Sequence, residues 1–267
     1  MPMTVSKDGT RLAFDRAGQG APIIWVDGAL RFRAQGPSKP MAERLARRFT
    51  VFTYDRRGRG ESGDTPPYAV DREIEDLAAV IDEAGGSAMV AGASSGAALA
   101  LEAASRGLAI TKLVLYEAPF IVDSSRAPLP PDFKARLSAA VAAGRRSEAV
   151  SMFLKLVGVP SFGLAIMRLL PVWKVLTGAA HTIPYDLTIV EPQQQGLPLS
   201  PARWPGAAME TLVIDGEKSP AYMRNGMRAL AGVLPNATHR TLPGQAHMIN
   251  AKVLAPVVSQ FFGAALS

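Results

Sequence analysis

Residues 87–107 read SAMVAGASSGAALALEAASRG. A short apolar run, Ala88–Ala91, meets Gly92-Ala93-Ser94-Ser95-Gly96, and an Ala/Leu-rich helical stretch follows. The order is strand, sharp turn, helix, with a serine at the apex. A serine held in a strained strand-to-helix turn crowds the residues two positions away on either side, and glycine leaves the room. Such a turn lifts the Ser94 hydroxyl off the sheet edge and aims the first amides of the helix at the same point. One element then supplies a nucleophile and part of an anion site. A bare G-x-S-x-G also fits a tight structural turn, and the strand–helix context favours catalysis over it.

Working outward, short β-type runs alternate with helical patterns, which predicts parallel strands joined by crossover helices. The strands expected are Arg11–Phe14, Ile23–Val26, Val51–Tyr54, Ala88–Ala91, Leu113–Tyr116, Leu212–Ile214 and His239–Leu242. Met41–Arg48 and Ile74–Ile81 read as amphipathic helices; the second keeps Ile74, Leu77, Ala78 and Ile81 on one face, with Asp71 as its cap. The helix after Ser94 is apolar nearly all round and should lie buried beneath the site. Met223–Leu234 and Val253–Ala265 complete the alternation.

The stretch from Phe120 to Pro205 breaks it. Here Pro and Gly separate helical pieces, Asp132–Ala143, Ser147–Val157, Phe162–Leu170 and Val172–Ala179, with no convincing strand. The expected division is a core of residues 1–119 and 206–267 and a helical insertion, 120–205, covering one sheet edge.

At 267 residues, with 48% hydrophobic and 19% charged, the chain has a globular balance and enough length for one large core. It has no cysteine, which excludes a disulfide framework and thiolate zinc sites and agrees with a reducing, cytoplasmic setting. The N-terminus lacks an apolar run of signal-peptide length, and no stretch of about 18 apolar residues suggests a membrane span. The net charge of +6 raises nucleic acid as a partner. Its arginines are dispersed, however, and no aromatic residues interleave with them. Arg56-Arg57-Gly58-Arg59, Arg47-Arg48 and Arg145-Arg146 read as solvated arginines on the surface.

Taken together, the motifs resemble the α/β-hydrolase superfamily over nearly the whole chain. Ile23–Gly28 resembles the strand that ends in His-Gly; Tyr54–Ser62 resembles the D-x-R-G-x-G-x-S loop; Gly92–Gly96 is the nucleophile elbow; Gly244–His247 resembles the histidine loop. The resemblance implies an α/β fold with a doubly wound, mostly parallel sheet and an inserted helical cap. It makes Ser94 the nucleophile and His247, the histidine after the last expected strand, its base. His239 lies within an expected strand and reads as structural, and His181 falls in the insertion, where it touches substrate or faces water.

The family's usual acid, G-x-x-D after the seventh strand, is absent: the run here is Gly216-Glu217-Lys218-Ser219. A neutral serine cannot offset the charge of an imidazolium. Haloalkane dehalogenases carry the acid after the sixth strand instead, where this chain has Glu117. Glu117 is therefore the expected third member, with Asp215 second and Asp123 or Glu217 behind it. The resemblance also implies an oxyanion hole made by the amides of Ala29 and Ser95. Asp27 replaces the family's histidine and should turn away from the site, toward Arg31, Arg33 or a loop amide.

A serine nucleophile implies acyl transfer to water, hence cleavage of an ester, thioester or lactone. Phe133, Leu137, Met152, Phe153, Leu156, Met167, Leu169, Trp173, Leu176 and Tyr185 in the insertion are mostly expected to pack, with a minority lining an apolar pocket for a hydrophobic small-molecule substrate. No metal or organic cofactor is expected: ligand residues do not cluster, and Gly58-Arg59-Gly60 lacks the third glycine of a dinucleotide loop. Alternatives on the same scaffold are a carbon–carbon bond hydrolase, a lyase, a perhydrolase, or a ligand sensor without turnover.

Overall fold

The computed structural model describes residues 2–263. Eight strands form one sheet: β1 Met3–Val5, β2 Arg11–Ala17, β3 Pro22–Val26, β4 Thr50–Tyr54, β5 Ala88–Ala93, β6 Ile110–Tyr116, β7 Glu210–Gly216 and β8 Ala237–Leu242. Their order across the sheet is β1-β2-β4-β3-β5-β6-β7-β8. The pairs β1–β2 and β2–β4 are antiparallel and all others parallel. The central strands carry continuous apolar runs because helices cover both faces. β1, which the sequence reading missed, is a three-residue edge strand too short to show a period.

The core helices are α1 Ser38–Leu45, α2 Val70–Glu83, α3 Ser95–Ser105, α9 Ala221–Val233 and α10 Ala251–Gly263. Met41, Leu45 and Leu254 place α1 and α10 on one face of the sheet; Ile74, Leu77, Leu99 and Met227 place α2, α3 and α9 on the other. The expected helix over 253–265 extends to 264 and 265, which lie outside the described residues. α2 starts earlier than expected: its N-cap is Ala69, and Asp71 sits in the first turn, where a carboxylate suits the helix dipole, instead of capping. α3 is buried along its length, as its all-round apolar sequence requires. Its alanines let it approach the sheet closely.

Between β6 and β7 the chain is helical: α4 Phe133–Ala142, α5 Arg146–Leu156, α6 Ser161–Met167, α7 Val172–Gly178 and α8 Ile183–Val190. Leu137, Val150, Leu164, Leu176 and Ile183 give this segment a hydrophobic cluster of its own, with Leu30 from the sheet side joining it. Leu169, expected to pack, is 86% exposed in the turn after α6. Among the described residues no helix is long and apolar enough to cross a membrane.

Candidate active site

The chain reverses around β3: it passes to β4 on one side and then to β5 on the other, which opens a crevice at the carboxyl ends of β3 and β5. Ser94 follows β5 there with φ 55° and ψ −128°. Among the described residues the other non-glycines with left-handed φ are Leu30 (60°) and Glu117 (48°), just past the ends of β3 and β6. Each such residue costs about 1–3 kcal/mol, so backbone strain is concentrated at one edge of the sheet. The elbow glycines are sterically required. A Cβ on Gly92 would lie 2.5 Å from the Gly96 oxygen, and one on Gly96 2.4 Å from the Val26 oxygen.

His247 and Glu117 come together 130 positions apart: Nδ1–H of His247 donates to Oε2 of Glu117 at 2.7 Å. A carboxylate accepts, so this bond fixes the ring tautomer and leaves Nε2 as an acceptor. Glu117 is fully buried. Its other oxygen accepts from the Gly216 amide at 2.7 Å and from the Ser219 hydroxyl. The histidine loop is held from below as well. The Tyr116 hydroxyl donates to the Ala246 carbonyl at 2.7 Å, and the loop rests on Gly216, where a Cβ would meet the Gln245 oxygen at 2.6 Å.

The other acids are engaged elsewhere. Asp215 pairs with His239 at 2.8 Å, away from His247. Asp123 accepts from Ser125 and Asn225, and Glu217 from the Gly244 amide. His181 is half-buried, 3.9 Å from Asp64, and is not part of the cavity wall.

Neither the Ala29 nor the Ser95 amide donates to another group among the described residues. The preceding carbonyls are gripped: that of Asp27 accepts from Arg56 Nη1 at 3.1 Å, and that of Gly28 from Arg59 Nη1 at 2.8 Å. Gly28 also lies so close to the elbow that a Cβ there would be 2.8 Å from Ser94 Cβ. Asp27 turns away from the site; of the partners expected, Arg31 acts on it through its charge, and its side-chain hydrogen bonds run elsewhere. It accepts from Trp25 Nε1 at 2.8 Å and from the Ser38 hydroxyl. Burial pushes its carboxyl above the ordinary range. Arg33 instead pairs with Asp15, Asp55 and Glu61.

The run Arg56-Arg57-Gly58-Arg59 corrects the surface reading: its three arginines are 1–2% exposed. Arg56 makes a bidentate pair with Glu73, and Arg57 with Asp76. Arg56 and Arg59 also bind opposite oxygens of Asp186 in α8, at 2.8 and 2.6 Å. The Ser95 hydroxyl donates to Asp186 at 2.6 Å. Burial alone would raise the Asp186 carboxyl; Arg59, Arg56 and Ser95 outweigh it and hold the group below the ordinary range. Asp186 escaped the sequence reading because a lone acid in an apolar run names no partner.

Ser94, Ser95, Ala29 and His247 line one cavity of about 120 Å³. Its walls are mainly apolar, with Ile121, Leu129 and Val190 among them. Of the ten residues expected to pack or line a pocket, Phe153 and Leu156 reach this cavity. Phe133, Leu137 and Leu176 pack within the helical segment. Tyr185 stacks on Tyr68 and donates to Asp64.

A model of the alpha/beta hydrolase family matches residues 17–257. An alpha/beta hydrolase from Sphaerobacter thermophilus is 49% identical and superposes with a TM-score of 0.90, over 98% of this chain and 100% of that one. A thermophilic esterase from Thermogutta terrifontis is 22% identical, with a TM-score of 0.70 over 98% and 96% of the two chains. The enol-lactonase from Burkholderia xenovorans is 20% identical, with a TM-score of 0.72 over 98% and 100%. The last two similarities concern the fold alone. With its parallel sheet, serine elbow and family match, the chain belongs to the alpha/beta hydrolase family.

Proposed function

We propose that this protein is a serine hydrolase that cleaves a carboxylic ester, thioester or lactone through an acyl-enzyme on Ser94. The observation that carries the reading is the His247–Glu117 contact at 2.7 Å on the wall of the cavity that Ser94 also lines. In this reading Nε2 of His247 takes the Ser94 proton as the hydroxyl oxygen attacks the acyl carbon. The developing oxyanion is held by the Ala29 and Ser95 amides, which have no other acceptor. The leaving alkoxide collects the proton from His247, and a water activated by the same imidazole then releases the acid. Glu117 orients the ring and balances its charge.

The segment 120–205 acts as a cap whose apolar residues select a hydrophobic acyl or alcohol group of moderate size. Solved esterases and an enol-lactonase of the same fold are in keeping with this chemistry. The cysteine-free composition supports a cytoplasmic setting.

A fluorophosphonate probe tests the reading. Labelling that is lost in Ser94→Ala, together with turnover of p-nitrophenyl acyl esters, supports it. Absence of labelling at any pH overturns it, and turnover of β-diketones in place of esters moves the chemistry to carbon–carbon cleavage.

A further inference from the structure

Arg126 lies in the segment between β6 and α4 and lines the same cavity as Ser94 and His247. Its guanidinium carbon sits 4.4 Å from the centre of the Tyr222 ring, and Nη2 donates to the Leu156 carbonyl at the end of α5. These two contacts stretch the side chain across the cavity wall, between the helical segment and the start of α9. Among the described residues no carboxylate is in ion-pair contact with it; its contacts are the Leu156 carbonyl and Tyr222, whose hydroxyl it also reaches. The acid three positions away, Asp123, is turned to Ser125 and Asn225.

The other charged groups on this wall differ. Asp186 is matched by Arg56 and Arg59, and His247 faces Glu117. Arg126 is thus a cation without an anion, half-buried against an aromatic face, on a cavity wall that also includes Pro128, Phe153 and Met223. Elsewhere in the molecule a buried arginine is met by acids, as with Arg56 and Arg57. A partly desolvated guanidinium without a carboxylate partner gains most from a group that brings negative charge and paired acceptors.

We propose that Arg126 recognises a carboxylate carried by the substrate at a distance from the bond that is cleaved. The substrate class becomes an ester, thioester or lactone whose mainly apolar chain ends in an anion. The inference rests on Ser94 being the nucleophile, since that fixes which end of the cavity holds the scissile carbonyl. Tyr222 supports the guanidinium from one face, and the Leu156 carbonyl fixes its plane, so little rotamer freedom remains to be lost on binding.

The test compares p-nitrophenyl butyrate, hexanoate and octanoate with the mono-p-nitrophenyl esters of succinate, adipate and suberate. In the wild type at least one acid-bearing ester has a kcat/KM at least tenfold above its neutral counterpart. Arg126→Met lowers that acid-to-neutral ratio at least tenfold, chiefly through KM, and Arg126→Lys retains part of it. Equal losses on both series, or no preference in the wild type at any length, overturn the proposal while leaving the hydrolase reading intact.

A second measurement separates the two claims. Ser94→Ala protein, with and without Arg126→Met, is titrated calorimetrically with hexanoate and hexanamide. Tighter binding of hexanoate that is lost with Arg126→Met supports the anion site even if neither ester series is turned over. Equal binding of both probes, insensitive to residue 126, overturns it.

Discussion

The hydroxyl of Ser219 donates to the same Glu117 oxygen that receives the Gly216 amide, so the loop after β7 serves the acid that stands after β6. The position where the family pattern leads one to expect an aspartate is occupied by a donor to Glu117, the acid proposed in its place. A serine at 219 is therefore a fitting partner for a glutamate at 117, and the two positions form one unit.

That unit yields the first prediction. Glu117→Gln leaves the shape nearly unchanged but removes the charge and upsets the ring tautomer, and turnover of an ester substrate falls about 10³–10⁴-fold. The double variant Glu117→Ser, Ser219→Asp returns a carboxylate to the same pocket and recovers part of the loss. Steady-state kinetics on p-nitrophenyl esters checks both, and near-normal rates in Glu117→Gln would rule out the assignment.

The two histidines on the last strand and its loop separate cleanly. In the proposed mechanism Ser94 loses its base in His247→Gln, and the expected fall in kcat is more than about 10³-fold. His239→Gln, whose ring contacts Asp215 on the β7–β8 face, changes kcat less than threefold. If Asp215 and His239 were the working pair, the two results would be exchanged.

Gly28 couples β3 to the elbow. In Gly28→Ala the new methyl meets Ser94 Cβ at 2.8 Å and the Ala93 oxygen at 3.0 Å, so either the nucleophile or the loop carrying Ala29 has to shift. The expected outcome is a stability loss of about 1–3 kcal/mol and a fall in kcat of about 10–100-fold. Urea denaturation with ester kinetics measures both; unchanged kcat would mean that Ala29 is not part of the anion site.

Asp186→Asn leaves Arg56 and Arg59 short of a buried counter-charge and costs about 3–5 kcal/mol at neutral pH. The native carboxyl is held below its ordinary value of 3.8, so its contribution is fully present above that value and fades as pH falls through the lower, folded value. The stability gap between wild type and variant, measured by denaturant titration, is therefore constant from pH 7 to about 5 and narrows only in stronger acid. A gap that narrows between pH 7 and 5 would contradict the depressed ionisation.

Much of this was legible in the chain. Leu113-Val114-Leu115-Tyr116 is apolar without alternation, as a strand covered on both faces must be, so the place of Glu117 at a strand end could be read directly. The elbow announced itself through two glycines at fixed spacing. The burial of Arg56, Arg57 and Arg59 could not be read, because their partners Glu73, Asp76 and Asp186 are set by tertiary folding and carry no local signal. α8 was missed for a related reason: Ile183-Pro184-Tyr185-Asp186-Leu187 carries a proline in its first turn and shows no clean polar face. The Ser38 partner of Asp27 was missed because Ser38, at the start of α1, approaches only through a long loop.

The Asp186 ion pairs also bear on how a substrate can enter. α8 is riveted to the sheet's arginines and to the elbow serine's neighbour, so it cannot swing outward without stranding three charges in a dry interior. Among the described residues α5, α6 and α7 make no ion pair to the sheet or its flanking helices, and Gly158, Pro160 and Pro171 stand at their joints. A motion that admits substrate is therefore expected on that outer side, with α8 and Ser95 held in place by their bonds to Asp186 and the two arginines.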